Sequence, residues 1–106
     1  MGFLDFLKGA DINQGIKEYE ATPGAVLLDV RSAQEYLEGH IPGSKNIPLD
    51  SIARVQTKIG NRDTPIFVYC YSGSRSRQAA GMLGRMGYAD VRNVGGIADW
   101  IGRVEH

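Results

Sequence analysis

The stretch from residue 64 to 86 constrains the fold of this chain more than any other. It opens with Pro65-Ile66-Phe67-Val68-Tyr69, an apolar, β-prone run that is typical of a buried central strand. The only cysteine of the chain, Cys70, follows at once, and a short loop of small residues comes next. Across residues 76–86 the apolar positions recur at helical spacing. The stretch therefore predicts a strand, a cysteine, a tight loop and a helix, in that order.

This order places Cys70 where the free amides of a helix N-terminus point. The first N–H groups of a helix have no partner within it, and the helix dipole adds roughly half a positive charge there. A loop around the sulfur turns further amides inward and forms an anion-binding hollow, to which Arg75 adds charge. Such settings lower a cysteine pKa from about 8.5 to between ~3.5 and ~7.5. Cys70 is therefore a candidate nucleophile, and an inert core cysteine is the alternative.

A second apolar run, residues 25–30, predicts another strand that is covered on both faces. Predicted helices at 11–19, 33–38 and 49–59 alternate with strands, and Ser32 with Glu35 forms a capping-box pattern. This alternation predicts an α/β fold with a small parallel sheet and helices on both faces. Sites in such sheets lie beyond the carboxyl ends of the strands, so Asp29, Arg31 and the Cys70 loop are expected at one edge.

The end of the chain predicts a last strand at 89–94. Gly95 and Gly96 then read as a hinge into a short helix at 97–101. We expect one domain over residues 1–106, with residues 1–9 as an N-terminal extension whose Phe3–Leu7 segment is a candidate handle for a partner.

Composition excludes several classes of function. Twelve basic residues balance twelve acidic ones, so no global field recruits nucleic acid or an anionic membrane. One cysteine and two distant histidines give no credible zinc site and no internal disulfide, and neither metal nor cofactor is expected. The first eight residues lack the charge pattern of a signal peptide and are too short to span a bilayer. A cytoplasmic location is the expectation, since a lone reactive thiol suits a reducing compartment.

Six segments together resemble a single rhodanese domain. They are LDVR (28–31), EYLEGHIPGS (35–44), NIP (46–48), VYCYSGSRS (68–76), GY (87–88) and GGIADW (95–100). Each segment alone is weak evidence for the resemblance, but all of them in this order are strong evidence. Together they cover nearly all of the chain from about residue 11 onward. The resemblance implies a rhodanese-like fold whose active-site loop joins the central strand to the following helix.

The resemblance also implies a sulfurtransferase. Cys70 would take a sulfane sulfur from thiosulfate or a low-molecular-weight persulfide and pass it to a thiophilic acceptor. The expected cradle for the anion consists of Tyr71, Ser72, Gly73, Ser74, Arg75 and Ser76. The alternative is a sulfur carrier or interaction module that exchanges sulfur with a protein partner and turns over free thiosulfate poorly. Phosphatase or arsenate reductase activity is disfavoured, because those relatives have a C-x5-R loop and this chain has C-x4-R.

Several supporting residues have two readings. Arg75 is expected to clamp the substrate anion, and the alternative is a pairing with a carboxylate. Of Ser74 and Ser76, at least one is expected to cap the helix, and the alternative is a hydrogen bond to sulfur. A structural network is expected from Asp29, Arg31 and Glu35, with the last two one helical turn apart. His40 is expected to be a hydrogen-bonded structural residue rather than a proton shuttle.

Overall fold

The computed structural model describes residues 10–106, so the expectations for the N-terminal extension lie outside the described residues. The strands are β1 (Val26–Asp29), β2 (Lys45–Asn46), β3 (Ile66–Cys70) and β4 (Val91–Gly96). The α-helices are α1 (Ile12–Glu20), α2 (Ala33–Glu38), α3 (Val55–Lys58) and α4 (Ser74–Arg85), and 3-10 segments cover Leu49–Arg54 and Ile97–Asp99. The strands are all parallel, in the order β2-β1-β3-β4, which confirms the predicted fold class. No helix within residues 10–106 has the length and apolar character to cross a membrane.

Local sequence signals account for the helix starts on either side of β1. The Asp11 carboxylate accepts from the Asn13 amide and caps α1. The predicted capping box at α2 is confirmed: the Glu35 N–H donates to Ser32 Oγ at 3.2 Å, and the Ser32 N–H donates to Glu35 Oε1 at 3.1 Å. Both caps satisfy orphan amides that a helix start leaves open.

The alternation of β3 divides the core into two clusters, one on each face of the sheet. Ile66, Val68 and Cys70 lie in a cluster with Ala79 and Leu83 of α4. Phe67 and Tyr69 lie in the other cluster, with Ile12 and Ile16 of α1. All five residues of β3 are buried, as a central parallel strand requires. The period of two therefore turns the Cys70 side chain toward the α4 face.

Two predicted elements differ from the structure. The helix expected at 49–59 is a 3-10 segment followed by the short α3, because Ser51 has non-helical dihedral angles (φ −117°, ψ 21°). Gly95 and Gly96 lie within β4 and are not a hinge, and the short helix after them ends at Asp99. Gly95 has φ +107° where the β3–β4 register shifts. Gly95 therefore forms a β-bulge within the strand and does not end it, since glycine adopts positive φ without strain.

Candidate active site

The predicted edge of the sheet brings the two functional segments together. β1 and β3 are neighbours, with Leu28 opposite Val68 and Asp29 opposite Tyr69. Both strands therefore end at the same level, and the residues after Asp29 and the loop after Cys70 share one edge. This is the crevice at which open α/β sheets hold their ligands.

A ring of donors surrounds the Cys70 sulfur. The Gly73 N–H donates to Sγ at 3.0 Å, and Ser76 Oγ lies 3.4 Å from Sγ. Gly73 has φ +103°, a left-handed conformation that glycine adopts without strain, and it is the N-cap of α4. The sharp turn at this glycine lets the loop amides face back onto the strand end. The arrangement is an anion-binding hollow centred on sulfur.

Burial and hydrogen bonding act on the Cys70 thiol in opposite directions. The residue is fully buried, with 0% exposure, and burial raises the thiol pKa because it penalises the charged form. The Ser76 hydroxyl and the amides of Ser76, Gly73 and Ser72 favour the thiolate and outweigh that penalty, so the pKa lies below its ordinary value. Hydrogen bonds are therefore the main cause of the lowered thiol pKa.

Arg75 already has a carboxylate partner. Its Nη1 and Nη2 donate to Glu35 Oε1 and Oε2 at 2.7 and 3.0 Å, a bidentate pair with side chains 36% and 31% exposed. This carboxylate pairing is the alternative role considered for Arg75, and in this geometry its guanidinium is bound to Glu35 rather than open to a substrate anion. The pair ties the start of α4 to α2 across the edge of the sheet. A role for Arg75 in substrate binding stays a prediction.

The expected network of three charged residues is instead two separate pairs. Arg31 Nη2 donates to Asp29 Oδ2 at 2.7 Å and to the Gly39 carbonyl at 2.7 Å, and both charged side chains are buried. Burial lowers the pKa of Arg31, but the hydrogen bond and charge of Asp29 more than offset it. Arg31 and Glu35 do not form the expected contact, because Arg31 pairs with Asp29 and Glu35 pairs with Arg75.

His40 is held as a structural residue. Its Nδ1 lies 2.9 Å from the Tyr36 carbonyl oxygen, and its ring stacks on Tyr36 with centroids 3.8 Å apart. Its backbone forms a two-bond bridge with Glu105. These contacts connect the end of α2 to the end of the described chain.

Neither loop serine caps α4. The helix begins at Ser74, two residues earlier than its apolar spacing indicates, and the N-cap Gly73 provides no side-chain bond. Ser74 is exposed on the first turn, and Ser76 is buried beside the sulfur. The expected capping role is wrong because both serines lie inside the helix. Ser76 therefore has the alternative role, a contact with sulfur.

The outer part of the loop rests directly on β4. Tyr71 is 55% exposed at the mouth of the hollow, and its carbonyl accepts from the Ala98 N–H at 3.0 Å. A Cβ built on Gly96 would lie 2.1 Å from the Tyr71 carbonyl oxygen and 2.6 Å from Ser72 Cα. Only glycine at this position lets the loop backbone approach so closely.

Sequence reasoning missed Asn93, the third residue of β4. Its Nδ2 donates to the Gly73 carbonyl at 3.2 Å, and its Oδ1 lies 2.7 Å from Ser76 Oγ. The chain offers one weak signal, an amide side chain two residues before a glycine pair at the carboxyl end of a predicted strand.

A cavity of about 480 Å³ borders the loop at Arg75. Its lining combines apolar side chains with polar and charged ones: Val30, Pro48, Leu49 and Met82, and Ser32, Asp50, Arg75 and Gln78. This cavity is large enough for a small molecule and lies beside the charged pair of the loop.

The Glu35–Arg75 pair makes a testable contribution to acid stability. The Arg75 hydrogen bond, chiefly, lowers the pKa of Glu35 from 4.5 to about 2. Because the pKa of Glu35 is lower in the folded state than in the unfolded chain, its ionised carboxylate stabilises the fold at pH values above about 4.5. This stability is lost as pH falls from about 4.5 toward about 2. Glu35→Gln removes the charge but keeps a residue that suits the capping box. We expect it to cost no more than ~1 kcal/mol at neutral pH, since the pair is part-exposed.

Thermal unfolding at a series of pH values measures this effect. The Tm difference between wild type and Glu35→Gln should shrink as pH falls through that window. Gln34→Ala, one residue away on the exposed face of α2, is the control: it loses only an exposed hydrogen bond to Glu38, so it should cost no more than about 0.5 kcal/mol. A Tm difference that is constant from neutral to acid pH would contradict the assignment.

Comparison with known proteins agrees with this geometry. The family model for the rhodanese-like domain matches residues 11–103. Over 73 residues the chain is 38% identical to the thiosulfate sulfurtransferase PspE of Escherichia coli, with 68% of this chain and 70% of that protein covered. It is 39% identical over 80 residues to the putative sulfur carrier protein YrkF of Bacillus subtilis, with 74% of this chain covered, but the match spans only 43% of that longer protein.

A solved structure gives the same result. The structure described as rhodanese with anions from Escherichia coli superposes with a TM-score of 0.71 at 34% sequence identity. The match covers 76% of this chain and 96% of that one. With its cysteine loop at the carboxyl edge of a parallel sheet, the chain belongs to the rhodanese-like domain family.

Proposed function

We propose that this chain is a sulfurtransferase that moves a sulfane sulfur through a persulfide on Cys70. The observation that carries the proposal is the ring of inward-facing donors around a thiol of lowered pKa. Family membership and the similarity to a protein named thiosulfate sulfurtransferase support it. The residues 71–76 form the anion cradle, with backbone N–H groups as its main donors.

The chemistry follows from the charge that this cradle prefers. The Cys70 thiolate attacks the outer sulfur of thiosulfate, a new S–S bond forms, and the old S–S bond breaks. Sulfite leaves with the electron pair of that bond. The persulfide that remains is also anionic, so the same amides stabilise it after transfer. A second attack by cyanide or a thiolate on the outer sulfur returns the Cys70 thiolate.

No separate general base is needed in this cycle. The Cys70 thiolate attacks directly, and the hydrogen bonds at Sγ raise the fraction of thiolate by lowering the thiol pKa, without an adjacent imidazole. His40 is engaged with Tyr36 and the last residues of the chain. The roles proposed for Asp29, Arg31, Glu35 and His40 are therefore to hold the strand ends and the loop in place.

A sulfur carrier is the second candidate function, favoured by the similarity to the putative sulfur carrier YrkF. In both cases the donor is a sulfane sulfur compound or a protein persulfide. The proposed unit is a single domain over residues 1–106, and a cytoplasmic location suits its one free thiol.

Intact-protein mass spectrometry together with turnover separates the two functions. After thiosulfate treatment the wild-type chain should gain the mass of one sulfur atom, and a thiol reductant should remove it. Steady thiosulfate:cyanide turnover is expected for the enzyme, whereas sulfur uptake without turnover indicates the carrier. A chain that takes no sulfur from thiosulfate, from a low-molecular-weight persulfide or from a cysteine desulfurase would contradict both.

A further inference from the structure

The contacts of Asn93 link β4 to two residues of the sulfur cradle, Gly73 and Ser76. Nδ2 donates to the Gly73 carbonyl at 3.2 Å, and Oδ1 accepts from the Gly95 N–H at 3.1 Å. A backbone carbonyl only accepts and a backbone N–H only donates, so these two partners fix the orientation of the amide. Oδ1 is therefore the atom that faces Ser76.

Ser76 has one hydroxyl proton and three acceptors within reach. Asn93 Oδ1 lies at 2.7 Å, the Gly73 carbonyl at 3.1 Å and Cys70 Sγ at 3.4 Å. The shortest of these is a standard O–H···O distance. In this geometry the proton points to Asn93, and the Ser76 oxygen is free to accept from the Cys70 S–H.

We infer that Asn93 is a positioning residue for the sulfur chemistry of Cys70, an inference that rests on the proposed function. It anchors the Gly73 carbonyl, which keeps the Gly73 N–H aimed at Sγ, and it receives the Ser76 proton whenever Sγ is uncharged. When Cys70 ionises, the proton swings from Oδ1 to Sγ. Asn93 Oδ1 keeps the Gly95 N–H in that state, so neither state leaves a buried acceptor without a donor.

The same rotation of the Ser76 hydroxyl occurs during the sulfur-transfer cycle. In the thiolate, the charge resides on Sγ and the Ser76 hydroxyl turns toward it. In the persulfide, the charge resides on the outer sulfur, and the Ser76 proton returns to Asn93. The site therefore follows the charge with a rotation of one hydroxyl and no movement of the backbone.

Asn93→Asp tests this inference with almost no change in shape. The carboxylate retains the Ser76 proton, loses the donor to the Gly73 carbonyl and repels the thiolate, and all three effects disfavour ionisation. The pH midpoint of Cys70 alkylation by iodoacetamide should rise by at least about one unit, a tenfold change in the ionisation constant. Thiosulfate:cyanide turnover should fall at pH values below the new midpoint and recover above it.

The matched control is Asn13→Asp. Asn13 is also half-buried and also bridges backbone groups, with Nδ2 on the Asp99 carbonyl and Oδ1 on the Ile101 N–H. Its alkylation midpoint should equal that of wild type. A midpoint for Asn93→Asp within about 0.3 units of wild type, in a folded protein, would overturn the inference.

A Ser76→Ala background separates proton retention from simple charge repulsion. With the hydroxyl absent, the Asn93→Asp shift should fall to about half or less, because residues in one network are not additive. An equal shift in both backgrounds would overturn the role of the hydroxyl. The alkylation midpoint measures ionisation of the thiol and does not require sulfur uptake. A wild-type protein that takes up no sulfur would refute the proposed function, and the positioning role of Asn93 would still be decided by the alkylation midpoints.

Nuclear magnetic resonance of the wild type provides a test that needs no variant. Ionisation of Cys70 removes the Ser76 proton from Oδ1, which leaves the Gly95 N–H as its remaining donor and strengthens that bond. The Gly95 amide proton should move downfield with the alkylation midpoint. No movement, or an upfield movement, would overturn the inference.

Discussion

Replacement of Cys70 by serine is expected to lower thiosulfate:cyanide turnover by at least about a thousandfold, the scale of losing a nucleophile. A serine hydroxyl stays protonated near neutral pH and cannot form a persulfide. The fold should survive, because a serine oxygen can accept from the same Gly73 N–H that now binds the sulfur. The Tm should change by no more than about 5 °C, roughly 1 kcal/mol for a domain of this size.

The single cysteine gives this prediction an independent control. Since Cys70 is the only cysteine in the chain, iodoacetamide should abolish turnover in the wild type by modifying one residue. Alkylation after thiosulfate treatment should give an adduct that a thiol reductant releases, which is typical of an alkylated persulfide. Full turnover in the serine variant, or after complete alkylation, would contradict the role of Cys70.

Gly96→Ala is expected to have the largest effect on the structure. A Cβ here meets the Tyr71 carbonyl oxygen at 2.1 Å and Ser72 Cα at 2.6 Å, and both atoms belong to the backbone of the loop. No side-chain rotation relieves the overlap, so β4 and the loop have to separate. The cost should reach ~3 kcal/mol, the upper range for an overpacked site, or a fall in Tm of ~12–20 °C. Turnover should fall with it, because the displaced loop carries the donors to sulfur.

Gly84→Ala is the matched control and should act in the opposite direction. Gly84 lies inside α4, and a Cβ built there has nothing within 4 Å. Alanine is the better helix former, so this substitution should stabilise the protein by about 0.5–1 kcal/mol and leave turnover unchanged. Thermal unfolding and turnover of the two variants, side by side, check the prediction. Equal Tm values for both variants would contradict the close approach of loop and strand.

The fold class and the place of the site were predictable because their signals are local. The apolar run at 65–69 has the character of a buried strand whatever lies around it. The Ser32–Glu35 box depends only on residues three positions apart, and the capping geometry confirms it. The position of Cys70 between a strand end and a helix start follows from the same short-range order.

The partners of the site residues were not predictable in the same way. Arg75 pairs with a residue 40 positions away, and the two readings of its role could not be separated without that contact. The prediction that at least one of Ser74 and Ser76 caps the helix is wrong because apolar spacing gives a helix start only to within a few residues. Asn93 carries only a weak local signal, since its contacts are with the loop that follows the neighbouring strand.

A parallel sheet with one thiol at its carboxyl edge follows from the order of residues alone, because hydrophobic period, turn residues and caps act over a few neighbouring positions. How the pKa of that thiol is lowered depends on contacts formed in the folded chain. Gly73 turns its amide to sulfur, Gly96 leaves room for the loop, and Asn93 contacts Gly73 and Ser76 from β4. These contacts join segments that are distant along the chain, and the packing of β4 against β3 and the loop brings them within hydrogen-bond distance.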